Sequence, residues 1–120
     1  MTPNYVAVRS DWTAAQALEH IRKYGRDSET LSMIYVIDDK KRLQDEIRLR
    51  KILLAESSQK ISELMDNEYV CLRADQHEKE AVDYFRKYDL YALPLVDSHN
   101  VLVGMVTVDD VLDVAEAKAT

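Results

Sequence analysis

The sequence predicts an α+β fold built from two tandem repeats, each running strand-helix-strand-strand-helix, with two small sheets packed about a pseudo-twofold axis and helices on their flanks. Three observations predict it. The chain aligns with itself: Ile21-Arg22-Lys23-Tyr24 matches Phe85-Arg86-Lys87-Tyr88 at an offset of 64, and Ile34-Tyr35-Val36-Ile37-Asp38 matches Leu93-Pro94-Leu95-Val96-Asp97 at an offset of 59. Within each copy the apolar residues switch between helical and strand spacing. A unit of roughly 60 residues with three short strands buries one face poorly, so two copies gain a proper core by sharing it, with a cleft between the halves.

Tyr5-Val6-Ala7-Val8 reads as the first strand, and Thr13-Ala14-Ala15-Gln16 as a capping box that opens a helix. Ala14, Ala17, Leu18, Ile21 and Tyr24 follow at helical spacing, and Gly25 ends the run. The fall in offset from 64 to 59 leaves five extra residues in the first copy, within Gly25-Arg26-Asp27-Ser28-Glu29-Thr30, where an insertion costs least. Met33 to Asp38 and Leu43 to Leu49 are predicted strands around the polar turn Asp39-Lys40-Lys41-Arg42, and Arg50 to Ala55 is a helix. Ser57-Ser58-Gln59-Lys60 reads as a linker, which divides the chain into a first repeat over 1–56, the linker 57–60 and a second repeat over 61–120.

The second copy repeats the order. Ile61 to Asp66 leads in, Tyr69 to Leu72 is a predicted strand, and Asp75-x-x-Glu78 opens a helix with Ala81, Val82, Phe85 and Tyr88 on one face. Two strands meet at Asp97-Ser98-His99-Asn100, a turn by composition, and Asp109 is expected to cap a last helix to about Ala117.

Apolar residues at 47% and charged residues at 32% describe a water-covered globular unit rather than a membrane span or a disordered tail. Two Gly and two Pro leave no room for a glycine-rich phosphate loop or a many-turned β-sandwich. The net charge of −6 opposes nucleic acid and anionic lipid and favours cations as charged partners. The single Cys71 excludes an internal disulfide and is expected to be a buried small hydrophobe. The Met1-Thr2-Pro3-Asn4-Tyr5 start shows no signal-peptide pattern, so the expected setting is the cytoplasm.

The order Met65-Asp66, Val70, Ala81, Leu93-Pro94-Leu95-Val96-Asp97 and then Leu102-Val103-Gly104-Met105-Val106-Thr107-Val108-Asp109-Asp110-Val111-Leu112 resembles a CBS domain, and the whole chain resembles a CBS pair, or Bateman module. Met1 to Val8 at one end and Val106 to Ala117 at the other are similar, more narrowly, to the cytosolic region of MgtE-type magnesium transporters. That resemblance implies a homodimer, an acidic N-terminal helical domain and a transmembrane domain in the same full-length protein, and closure of the cytosolic parts when magnesium is plentiful. It implies no membrane insertion by this segment itself.

The resemblance also supplies candidate sites. Relatives of this kind bind ATP or AMP through a Gly-x-x-Thr-x-x-Asp segment, kept here as Gly104, Thr107 and Asp110. At an offset of 59 the first repeat has Asp45, Arg48 and Lys51 instead. An ammonium cannot chelate ribose hydroxyls as a carboxylate does, so this half should lose ribose recognition while Arg48, Arg50 and Lys51 still attract phosphate. Met33 and Leu90 stand where some relatives stack adenine on an aromatic ring. Thr107 and Asp110 serve equally well as caps of a helix.

Asp109, Asp113 and Glu116 fall one turn apart on one face of the last predicted helix and Asp110 neighbours Asp113, an arrangement in which carboxylates repel and a divalent cation relieves the repulsion. The resemblance adds Asp89 as an acidic contact, so Asp89, Asp109, Asp110 and Asp113 are the candidate magnesium residues; His77 and Lys79 stand where relatives carry acids. An acidic helix face that is merely solvated is the competing reading. His20, His77 and His99 have neither the spacing nor the neighbours of a catalytic or metal-binding set, and Trp12 reads as a staple or a dimer contact, so the chain is not expected to be an enzyme. The expected function is a cation-sensing, dimerising regulatory module of a magnesium transporter. The alternatives are an adenine-nucleotide sensor and a purely structural dimerisation module.

Overall fold

The computed structural model describes residues 5–25, 33–75, 78–88 and 92–107. In chain order these form β1 (Ala7–Arg9), α1 (Ala14–Tyr24), β2 (Met33–Ile37), β3 (Leu43–Arg48), α2 (Leu49–Leu54), α3 (Ile61–Leu64), β4 (Leu72–Arg73), α4 (Glu78–Tyr88), β5 (Ala92–Val96) and β6 (Leu102–Thr107). The strands make two three-stranded mixed sheets, β1-β2-β3 and β4-β5-β6. In each, the first pair is parallel and the second antiparallel.

The repeat is visible in the register. Met33 pairs with Arg48 and Ile34 with Ile47, just as Ala92 pairs with Thr107 and Leu93 with Val106, 59 positions on. Both hairpins carry a bulge at the same place, between Val36 and Ile37 and between Leu95 and Val96. The bulge matters because residues four apart on a regular strand share a face. The extra residue breaks that rule, so Leu43 turns to the interface between the repeats while Ile47 faces α1.

Local chemistry explains the helix. The Thr13 hydroxyl accepts the Gln16 N–H at 3.2 Å, and the Gln16 side chain accepts the Thr13 N–H at 2.9 Å, the predicted capping box. Ala14, Ala17 and Ile21 form the buried stripe, Arg22 and Lys23 sit in the last turn where the helix dipole favours cations, and Gly25 caps the end. The hairpin turns are alike as well. Asp38 accepts the N–H groups of Lys40 and Arg42, Asp97 accepts those of His99 and Val101, and Lys41 and Asn100 take left-handed conformations with φ of 62° and 65°.

These turns also join the halves. The Leu43 N–H donates to Asn100 O at 2.8 Å and the Leu102 N–H to Lys41 O at 2.9 Å, while the Tyr69 hydroxyl donates to Leu43 O and the Tyr5 hydroxyl to Leu102 O, each at 3.3 Å. Each bond is the other's counterpart under the repeat, which is what a pseudo-twofold axis between the turns requires. Beneath them lies the predicted shared core, in which Tyr35 and Leu43 pack with Ala92, Val96, Leu102 and Met105. Two outer cores flank it. One lies under α1 and α2, and the other joins Leu72, Phe85 and Leu93.

The structure differs in detail from the sequence-based expectation, as in β1, which is Ala7–Arg9 where Tyr5 to Val8 is expected. The strand expected over Tyr69 to Leu72 is only Leu72–Arg73; before it the Val70 N–H donates to the Glu46 carboxylate and the Tyr69 hydroxyl to Leu43 O. The helix expected to begin at Arg50 begins at Leu49. Residues 57–60 are tied to the first repeat: Gln59 O and Ser57 O accept the first two N–H groups of α1, and Ile61 and Leu64 enter the first repeat's core. Cys71 is half-buried against the shared core instead of fully enclosed. The Ala81 and Tyr88 side chains and the helix expected after Asp109 lie outside the described residues.

Candidate functional site

β3 carries two adjacent carboxylates that the bulge and the pleat send in different directions. Asp45 pairs with Val36 on the face of the first repeat's own core and is 0% exposed, beside apolar residues. Its Oδ1 accepts the Glu46 N–H at 2.8 Å, and its Oδ2 accepts the N–H groups of Asp66 and Asn67 at 3.0 and 3.1 Å. Asn67 is thereby held at φ 61°, a left-handed conformation that asparagine tolerates better than most residues. A buried carboxylate with three N–H donors is a strong backbone clamp.

Glu46 pairs instead with Tyr35, on the side of the shared core, and accepts the Val70 N–H. Burial, then the neighbouring Asp45 charge, pushes its carboxyl up from the usual 4.5 to about 7, against the opposing pull of the Val70 N–H. Burial and the Glu46 charge push the Tyr35 hydroxyl up as well. Cys71 is raised by burial, with Arg73 opposing.

Beside Glu46 opens a cleft of about 580 Å³ between β3, α2 and the segment after α3. Its charged lining consists of Arg48, Arg50, Lys51, Glu46, Asp66 and Glu68, and Met33 forms part of its wall. Arg48, Lys51 and Met33 thus line one cleft. Asp45 does not join them, because its carboxylate is consumed by backbone donors. Thr107 lies at the end of β6, paired with Ala92 and 8% exposed. Asp89, Leu90, Asp109, Asp110, Asp113 and Glu116, and with them every candidate magnesium residue, lie outside the described residues. Among the described residues no group of His, Cys, Asp and Glu is close enough to hold a metal ion, so the three carboxylates of the cleft do not amount to a cation cage.

Sequence reasoning passed over Glu46, Asp66 and Glu68. One signal was present: a strand reading Leu43-Gln44-Asp45-Glu46-Ile47 places a carboxylate at an inward position of the alternation, which calls for donors from another segment. A second side-chain group runs along α1, where Trp12, just before the helix, meets the His20 ring edge-on and His20 meets Tyr24 at a tilt, with ring centroids 5.0 and 4.6 Å apart. Burial and the Lys23 charge lower the His20 imidazole. Trp12 thus packs along the helix on His20.

The CBS domain family matches residues 1–58 and 61–117. This chain belongs to the CBS domain family. It is 43% identical over its whole length to the magnesium transporter MgtE of Thermus thermophilus and 33% identical over 119 residues to that of Bacillus subtilis. It spans only 27% and 26% of those two proteins. Among solved structures it resembles the crystal structure of the cytosolic domain of the Mg2+ channel MgtE in complex with ATP, with a TM-score of 0.89 and 42% identity, covering 95% of this chain and 46% of that one. The two mixed sheets and their helices are thus those of a CBS pair. No helix among the described residues is long and apolar enough to cross a membrane.

Proposed function

We propose that this CBS pair is a cytosolic regulatory module of an MgtE-type magnesium transporter, non-catalytic, sensing divalent cation and gating transport by closure of a dimer. The observation that carries the reading is the 43% identity to such a transporter across the full chain. The mechanism is electrostatic. At low magnesium the carboxylates of Asp89, Asp109, Asp110 and Asp113 repel an acidic neighbouring domain and the dimer mate; bound cations bridge them and shift the population toward the closed state. Leu53 and Leu54 on α2, 56% and 75% exposed, favour that helix for the dimer contact.

The test compares the complete cytosolic region, wild type against Asp110→Asn/Asp113→Asn, melted in magnesium and in potassium of matched ionic strength. Potassium controls for simple screening of the net charge of −6. A half-site in this chain alone, at a concentration near its Kd, gives only about 0.4 kcal/mol, so the larger magnesium shift is expected where both domains are present. Equal magnesium shifts in wild type and variant would remove these carboxylates from the mechanism and leave a dimerisation scaffold. Sedimentation of the same samples reads the dimer, and a monomer at tens of micromolar would count against the closure.

An adenine nucleotide is a second ligand of this reading, favoured by the ATP complex of the 42% identical MgtE domain. ATP is expected to bind once per chain, its ribose on Asp110 near Thr107, because only the second repeat keeps that pair. Calorimetry should give one equivalent, with affinity in Asp110→Ala reduced to that of tripolyphosphate. Two equal ATP sites would overturn this assignment.

A further inference from the structure

The clasp between the two hairpin turns is symmetric in all its bonds but one. Arg42 and Val101 face each other as an isolated antiparallel bridge, flanked by the Leu43 N–H on Asn100 O at 2.8 Å and the Leu102 N–H on Lys41 O at 2.9 Å. The Tyr69 hydroxyl reaches Leu43 O and the Tyr5 hydroxyl reaches Leu102 O, both at 3.3 Å. Under the repeat these bonds exchange places, because Lys41 and Leu43 stand 59 positions before Asn100 and Leu102, and Tyr5 stands 64 before Tyr69. The odd bond is that of the Asn100 side-chain amide, which donates to Leu43 O at 2.8 Å. At the counterpart position stands Lys41, whose side chain is exposed and, among the described residues, bonds to nothing in the second repeat.

We propose that this clasp is a one-sided hinge between the repeats: it opens first where Leu102 meets Lys41, while Leu43 and Asn100 stay joined. The device is independent of which ligand the module takes. β6 runs on from Leu102 to Thr107, so the side that opens is the start of the strand leading toward the second repeat's candidate ligand residues.

The two tyrosine bonds are equally long, and the Leu43 and Leu102 side chains are 2% and 3% exposed in the same core, so neither favours one side. The difference lies in the turn residues. Lys41 and Asn100 both take left-handed conformations, φ 62° and 65°, which asparagine tolerates and lysine, with its longer side chain and no local bond in return, does not. Opening at Leu102 relieves Lys41 and leaves its exposed groups to water. Opening at Leu43 would break the amide bond of the half-buried Asn100 as well. The Arg42 guanidinium does not redress the balance, because its Nε donates to Asp38 Oδ2 at 2.7 Å and so braces the first turn within its own repeat.

Amide hydrogen exchange on the full chain, read residue by residue by NMR, tests the hinge. After correction for intrinsic rates, the Leu102 N–H is expected to be roughly tenfold less protected than the Leu43 N–H, the equivalent of one hydrogen bond. Its exchange should change little in low urea, as befits an opening that exposes little surface. Lys41→Asn suits the left-handed position and supplies the missing amide to Leu102 O, so it should raise the protection of Leu102 to that of Leu43. Asn100→Lys should lower the protection of Leu43 about tenfold and leave that of Leu102 unchanged; if that variant fails to fold, the wild type and Lys41→Asn carry the test. Equal protection of the two amides in the wild type would overturn the one-sided hinge. So would Leu102 exchange that rises with urea as steeply as global unfolding, or Leu102 protection that Lys41→Asn leaves unmoved.

Discussion

Replacing Asp45 by alanine is expected to lower stability by about 3–5 kcal/mol, the largest loss of any single polar side chain in the described residues. The substitution takes away one fully buried carboxylate and leaves the N–H groups of Glu46, Asp66 and Asn67 without their acceptor, two of them in the segment that carries the chain from the first repeat to the second. Relaxation lets water reach Asp66 and Asn67, which are exposed, so the cost stays below the sum of three charged hydrogen bonds. A melt of the full chain should read the loss as a fall in midpoint of roughly 10–20 °C. Asp45→Asn keeps the volume and one acceptor oxygen, and should cost about half as much. A fall of less than ~1 kcal/mol in Asp45→Ala would show that the clamp adds nothing beyond solvation of these groups.

Met105→Ala should cost about 2–5 kcal/mol, because the side chain is 0% exposed in the core where Tyr35 and Leu43 of one repeat meet Ala92, Val96 and Leu102 of the other. Its neighbour Val103, 38% exposed at the bulge, is the control, and Val103→Ala should stay within ~0.5 kcal/mol. The shared core makes a second demand. The single Trp12 packs on the first repeat's core, so its fluorescence follows that half, while far-ultraviolet dichroism follows both. The two signals should fall together in wild type and in Met105→Ala, since neither half keeps a covered sheet without the other. Separate transitions in the wild type would mean that the halves fold independently and that the common core is not what unites them.

The repeat architecture is legible in the chain's local chemistry. The offset of 64 between the helix runs and of 59 between the hairpins reappears in α1 and α4, each of 11 residues, and in the matching registers of the two hairpins. It is legible because helix capping, apolar period and turn chemistry act over a few residues, and each is written where it acts. The Thr13 box and the Asp38 and Asp97 turns belong to this class.

Where the paired acids of β3 point is set by the fold rather than by their neighbours in the chain. A bulge of one residue sets which face each side chain takes, and whether Asp45 is clamped or free depends on donors 21 and 22 positions away. The strand before α4 is likewise shorter than its apolar run, Leu72–Arg73 only, and Tyr69 reaches β3 through its hydroxyl, which donates to Leu43 O. Glu46 shows the limit most plainly. In sequence it is one of 22 acidic residues, and only burial against Tyr35 and the nearness of Asp45 and Asp66 turn it into a group that titrates near neutrality, because desolvation and charge proximity are properties of a folded neighbourhood rather than of a chain.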